Sequence, residues 1–452
     1  MKVREKVKRV SVGVLPNGFR YYTHYDAPNF VSGIGVQSGS IYDPRQAIGM
    51  NHLVEHIIGG YSDDEELRFE EYGCGPDEAI NIRCDRATTF YGHGDIVRRR
   101  FMLELFDIFS KNTFDSAKIT QAALERERAA VLNEYFLRGK DYLENGIDDM
   151  IHALMYRDGS NPAGSRVDCE PDQLQRITVR EVKRFYAANY GSDARFAVIL
   201  GIPHLSAKRM MEERFGHLRP TGRPPIVVPE IRPQLPGVRY LELEKRGISQ
   251  HHVVIAFPTF NYGHKDNISL HVLGYIWQKR VRYLLREANR DWGKGTYRVF
   301  VYTPRTFAHG MIYIWFATPS REFADKGAEM ILAECAKLRD EFAEAKFIRS
   351  YRNKLHYQYV DAFEGFADDL CERIIEAACN GDPEMEKLNS YLERLKRVGK
   401  RSVRRVANEY MNPNAYIHLV VRPDPSSEPN EKVVTDVWRK IPDIKRPVPL
   451  LD

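Results

Sequence analysis

A chain of 452 residues with 43% hydrophobic content exceeds one ordinary domain and carries enough apolar material for two sizeable cores. Its 67 basic and 62 acidic side chains leave a net charge of only +5, too slight over this length to argue for nucleic acid or another polyanion. No apolar run approaches the roughly eighteen residues needed to span a bilayer, so no membrane partner is expected.

The chain opens on "MKVREKVKRVSVGVLPNGFRYY", where Lys and Arg alternate with single valines instead of leading into the apolar core of a secretory signal. The six cysteines, Cys74, Cys84, Cys169, Cys335, Cys371 and Cys379, form no C-x-x-C pair. Free thiols in a reducing compartment follow, with the cytoplasm expected and an organelle matrix as the alternative. "GFRYYTHY", "FVSGIGVQSG" and "ATTFYGHG" read as strands of the first half, and "HHVVIAFPTF" and "GMIYIWFATP" as strands of the second. Helical stretches lie around 97–111, 115–138, 322–343 and 382–397.

Six prolines between Pro220 and Pro236 mark an extended linker near the middle of the chain. The two halves end alike. "LQRITVREVKRFYAANYGSDARFAVIL", from Leu174, aligns without gaps on "LKRVGKRSVRRVANEYMNPNAYIHLVV", from Leu395. Ile177 meets Val398, Val182 meets Val403, Phe185 meets Val406 and Ala194 meets Ala415, so each copy reads as helix, turn and buried strand. A duplicated α+β unit is the economical inference. The expected division is 1–217, a linker over 218–237, and 238–452.

The motif with the most chemistry is "NHLVEHIIGG" at 51–60. On a helix, His52 and His56 project from one face a turn apart, so both imidazoles can reach one ion, with Glu55 beside them. A zinc hydrolase needs this set: two neutral nitrogen ligands, an open position for water, and a carboxylate to take the proton of that water. A third protein ligand is sought in "ALERERAAVLNEYF", where Glu127 and Glu134 lie two turns apart and share a face. Either could bind the metal while the other supports it by hydrogen bonding.

H-x-x-E-H followed well downstream by E-x6-E resembles the pitrilysin or insulinase family of inverted-motif zinc peptidases, which includes the mitochondrial processing peptidases and their bacterial counterparts. "LPNGFRYY", "NIRCDRATTFYGHG", "NPAG" and "GMIYIWFAT" extend the likeness over nearly the whole chain. The resemblance implies an α+β fold of two homologous lobes, each a mainly antiparallel sheet with helices on one side. The first is the catalytic lobe, and the second, which lacks H-x-x-E-H, is an inactive lobe that completes the substrate cleft. It makes His52, His56 and Glu134 the ligands of one Zn2+ per chain, Glu55 the general base and Glu127 an auxiliary acid.

It also implies a peptide substrate added as a strand at Asn81, Ile82 and Arg83, where "NIRC" replaces the family's N-A-x-T and puts Cys84 at the threonine position. From the second lobe it implies an arginine and a tyrosine over the substrate. "LLREANRDWGKGTYRV" departs from the family's pattern there. Arg286 keeps the L-R-E context and Arg290 the spacing to Tyr297, and Arg286 is favoured. A homodimer or a heterodimer with a related subunit is implied. The expected function is that of a zinc metalloendopeptidase acting on extended peptides, and the alternative is a non-catalytic or partner-dependent subunit of a heterodimeric peptidase.

Overall fold

A computed structural model describes residues 9–71, 73, 80–93, 99–113, 115–141, 143–156, 162–164, 166–220, 222, 235–260, 263–290, 299–303, 310–365 and 367–426. Most of the Pro-rich linker, Cys74 and Tyr297 lie outside the described residues. The expected α+β class with two sheets is what the chain adopts. Cys84, Cys169, Cys335, Cys371 and Cys379 are free thiols. Among the described residues no helix is long and apolar enough to cross a membrane.

The strands are β1 (Ser11–Val14), β2 (Arg20–His24), β3 (Val31–Val36), β4 (Ile80–Cys84), β5 (Thr89–His93) and β6 (Arg195–Leu200) in the first sheet, ordered β1-β2-β6-β3-β5-β4. The second sheet holds β7 (Arg239–Lys245), β8 (His251–Pro258), β9 (Val299–Tyr302), β10 (Met311–Thr318) and β11 (Ile417–Pro423), ordered β7-β11-β8-β10-β9. Apart from the extra β1, the two orders are the same. β6 runs parallel to β2 and antiparallel to β3, and β11 runs parallel to β7 and antiparallel to β8.

The register repeats as well. The interval from Leu174 to Leu395 carries Phe196, which faces Arg20 and Gly35, onto Ile417, which faces Arg239 and Ala256. The duplication legible in the sequence is therefore a duplication of hydrogen-bond register. A one-residue slip would have moved every side chain to the opposite face of its sheet.

The main helices are α1 (Met50–Gly59), α2 (Asp63–Glu71), α3 (Arg99–Asn112), α4 (Gln121–Asp141), α5 (Leu143–Met155), α6 (Val179–Asn189), α7 (His204–Phe215), α8 (Asn267–Arg290), α9 (Arg321–Asp340), α10 (Ala345–Glu364), α11 (Ala367–Cys379) and α12 (Lys400–Tyr410). The single helix expected over 382–397 is instead two short ones, Glu386–Asn389 and Tyr391–Lys396. Pro383 precedes them, Met385 adopts φ 56°, and the Asp382 carboxylate accepts from the amides of Lys387 and Leu388, which sets a fresh start in place of a continued helix.

The compact units are not contiguous halves of the chain. One comprises 1–133, 166–228 and 356–392, and the other 134–165, 229–355 and 393–452. In the first, α1 covers the sheet face of Ile34 and Tyr91, while Tyr22, Val31, Phe90, Phe196 and Val198 on the other face pack on Tyr359, Phe363, Leu370 and Ile374 from α10 and α11. In the second, α8 and α9 lie against Ile312 and Phe316. There α5, from the first half of the sequence, bonds to the sheet through Asp148 to the Tyr313 hydroxyl at 3.1 Å, and the Tyr156 hydroxyl just beyond α5 accepts from the Gly310 amide at 2.8 Å. Each half lends helix to the other unit's sheet, which explains why β3, β6 and β10 are buried on both faces.

Candidate metal centre

Helix α1 is buried almost all round, with Leu53, Val54, Ile57 and Ile58 packed among its polar residues. Two devices hold it in place. Gly49 precedes the helix at φ 96°, where a Cβ would meet Cys169 Cβ at 2.5 Å, so only glycine fits this turn. The Asp43 carboxylate accepts from the amides of Gly49 and Asn51, each at 2.7 Å, and so satisfies the orphan donors of the helix start.

Asn51 then ties the helix to the sheet. Its amide donates to Thr89 Oγ1 at 2.7 Å, to Cys84 Sγ at 2.9 Å and to the Ser38 carbonyl at 3.2 Å, and its oxygen accepts from Ser38 Oγ at 2.7 Å. This fixes the rotation of α1 and therefore where His52, Glu55 and His56 point.

Those three residues gather with ligand atoms all within 4.8 Å of one another. His52 Nδ1 lies 3.2 Å from the Asp168 carbonyl oxygen, a partner that can only accept. His56 Nδ1 lies 3.4 Å from a Glu127 carboxylate oxygen. With both Nδ1 atoms as donors, each neutral ring presents its Nε2 lone pair, and the two Nε2 atoms face each other at 3.3 Å. Two nitrogens bound to one tetrahedral zinc at about 2.0–2.1 Å would lie about 3.3–3.4 Å apart. The donor set fits such an ion, because a cation between the rings turns two opposed lone pairs into two bonds. Glu55 Oε2 is 3.8 Å from His52 Nε2, close enough to take a proton beside the ion and not aligned as a further nitrogen-side bond.

Glu127 is thus placed against His56. Burial acts to raise its carboxyl, but the hydrogen bonds from His56 and from Arg126, the latter at 2.8 Å, outweigh burial and hold it below the usual carboxylate range. The carboxylate therefore stays charged and orients the imidazole. Glu134 sits half-buried two turns further along α4, where the chain has passed into the second compact unit. Among the described residues, the cluster with mutually close ligand atoms holds His52, Glu55 and His56 alone.

The strand expected to receive a peptide, β4, is an edge strand, paired on one side to β5 with Asn81 opposite Gly92 and Ile82 opposite Tyr91. Its side chains are engaged on both faces. Ile82 packs toward Gly59 of α1, and Arg83 donates to Glu372 of α11 at 2.7 Å while its guanidinium lies 5.6 Å from the Phe90 ring centre. Asn81 is exposed. Arg286 is exposed on α8, which closes at Arg290, and Tyr297 is outside the described residues.

Asp43, Gly49, Asn51 and Glu372 were missed by the sequence reading. The first three had a local signal, an acid and a glycine just ahead of the motif helix and an amide beside its first histidine. The Asp168 carbonyl and Glu372 had none, being remote in the chain.

The family model described as the peptidase M16 inactive domain matches residues 176–354, a span that does not include the H-x-x-E-H. The alpha subunit of the mitochondrial-processing peptidase of Neurospora crassa is 22% identical over 233 residues, 50% of this chain and 38% of that protein. The beta subunit from Dictyostelium discoideum is 22% identical over 218 residues, 46% of this chain and 44% of that one, so the chain spans less than half the length of either relative. Among solved structures, a protease from Helicobacter pylori superposes with a TM-score of 0.78 at 14% identity, covering 92% of this chain and all of that one. Motif, repeated lobes and these matches together make the chain similar to the M16 peptidases of the pitrilysin/insulinase family, and among them to the subunits of the mitochondrial processing peptidase.

Proposed function

We propose that the chain is a zinc metalloendopeptidase acting on extended or unstructured peptides. The observation that carries this reading is the pair of Nε2 atoms 3.3 Å apart, each ring held by an acceptor at its Nδ1. His52, His56 and Glu134 would hold one zinc ion, with Glu134 completing the three protein ligands that catalytic zinc usually has. A zinc ion there supplies Lewis acidity toward a water molecule and the scissile carbonyl.

The chain's own residues do the rest. Glu55 accepts the proton of the attacking water and passes it to the leaving amine. Glu127 keeps His56 in the tautomer that presents Nε2. Strand β4 pairs with the extended peptide through its backbone, with Asn81, Ile82 and Arg83 forming the platform and Arg286, with Tyr297, contacting the peptide from the inactive lobe. In this reading residues 1–217 are the catalytic lobe and 238–452 the inactive one. The working form is a homodimer or a heterodimer with a related subunit, in the cytoplasm or an organelle matrix.

A second reading, a partner-dependent or non-catalytic subunit, is favoured by one observation: the matching family model is that of an inactive domain. One experiment separates the two. The purified chain is assayed for metal content, native mass and cleavage of an unstructured peptide. Stoichiometric zinc with chelator-sensitive cleavage is expected; zinc without cleavage unless a related subunit is added would select the second reading, and no zinc would overturn the first.

A further inference from the structure

Helix α8 and the first part of α10, up to residue 355 and so within the second unit, bring Tyr275 and Tyr351 into a parallel stack, ring centres 4.0 Å apart and planes 7° from parallel. Two ammonium groups converge on that stack. Lys279 Nζ, from α8, lies 5.4 Å from the Tyr275 ring centre and Lys354 Nζ, from α10, 5.9 Å. Along α8, Tyr275, Lys279, Arg282 and Arg286 follow one another at helical spacing on one face. Lys279, Arg282, Arg286 and Lys354 are all exposed, and among the described residues none of them is in an ion pair. Other cations of this unit are paired, as Arg280 is with Glu334 at 2.8 Å and Arg405 with Asp266.

We propose that this α8–α10 surface docks an acidic peptide segment of another polypeptide. Like charges held against one ring repel, and an incoming carboxylate relieves that repulsion while the guanidinium forks of Arg282 and Arg286 offer the planar donors that carboxylates match. The ring faces favour carboxylates over nucleobases. Tyr275 turns one face to Tyr351 and has both ammonium groups against it, which leaves this stack without the open aromatic platform that single-stranded nucleic acid uses. Arg286 also belongs to the proposed peptide clamp, so the inference is tested at Lys279 and Lys354, which do not, and binding is measured without turnover.

The test uses the full-length chain carrying Glu55→Gln, so that no ligand is consumed, and a short fluorescein-labelled peptide of alternating Glu and Gly, followed by fluorescence anisotropy at about 50 mM salt, where surface charges are least screened. Saturable binding is expected, weakened by about tenfold or more in the Lys279→Glu/Lys354→Glu pair, as reversal of two exposed charge contacts implies. The neutral pair Lys279→Met/Lys354→Met, which keeps the apolar stems, should show an intermediate loss with an unchanged melting temperature. The proposal is overturned if the peptide binds no better than its Lys/Gly counterpart, if both variants bind as the parent does, or if a single-stranded oligonucleotide of equal charge binds more tightly at the same residues. Failure of wild-type peptide cleavage would count against the peptidase reading alone.

Discussion

The two sheets share strand order and register, yet the helices that follow the matched strands β3 and β8 have opposite chemistry. After β3, α1 buries His52 and Glu55 among apolar neighbours; after β8, α8 buries Leu273, Ile276 and Trp277. One lobe places polar groups where the other has a hydrocarbon core. Burying an imidazole costs free energy unless it finds a partner, and in the first lobe Asp168 and Glu127 supply partners to His52 and His56 while Asp43 and Asn51 fix the frame. The second lobe needs no such network and can use the whole length of α8 for packing. The polar cluster is an addition to a duplicated scaffold, made at one helix and supported by Glu127 and Asp168, which are distant in the chain.

The largest expected effect breaks the contrast at its chemical centre. Glu55→Gln leaves both histidines and should retain zinc, while peptide hydrolysis falls by about two to four orders of magnitude for want of a proton acceptor. Metal analysis and a peptide assay check both halves. Near-normal turnover with zinc bound would remove Glu55 from the mechanism.

A smaller effect separates the two glutamates of α4. Glu134→Gln should lower zinc occupancy strongly; Glu127→Gln should leave the metal bound but weaker by about ten- to a hundredfold, since it acts on His56 and not on the ion. If occupancy is lost at Glu127 and kept at Glu134, the ligand is the residue that touches His56.

Much of this was legible in sequence, for reasons that can be named. The gapless repeat from Leu174 and Leu395 survived because buried strands β6 and β11 tolerate little change in register. His52, Glu55 and His56 were legible because helical periodicity alone puts them together. The exchange of α5 and α11 between sheets was not, since no local pattern says which sheet an amphipathic helix will cover. Nor was the break at Met385, where a left-handed residue without glycine overrides helical propensity. Arg83 was read as a substrate residue from resemblance, and its bond to Glu372 shows its side chain turned to α11.

Smaller still is the effect of loosening α1 from the sheet. Asn51→Ala leaves buried donors and acceptors at Ser38 and Thr89 without their partner, costing about 1–3 kcal/mol of stability. Thermal unfolding should show the loss, and peptide turnover should fall with it, because the orientation of His52 and Glu55 depends on the same bonds. A variant that is destabilised but turns over normally would show that the sheet contact stabilises α1 without aiming it.

The smallest effect probes one matched position in the two sheets. Register makes Thr23, opposite Ile199, the counterpart of Glu242, opposite Val420. Thr23 is buried and bonds His204 at 2.9 Å, whereas Glu242 bonds Arg422 at 2.5 Å near the surface. The hydrogen bonds from Arg422 and Tyr240 hold the Glu242 carboxyl down at about 2. A depressed folded-state pKa means that the stabilisation is fully present above the ordinary carboxylate range and is lost as pH falls through about 2. The pair is partly exposed, so its contribution should stay below about 1 kcal/mol. The melting temperature of Glu242→Gln should therefore lie slightly below that of the parent at neutral pH, and the gap should close as the solution is acidified toward the folded-state value. A gap that persists unchanged in acid would mean that Glu242 acts through packing, and that β7, like β2 at Thr23, is held in its sheet without help from charge.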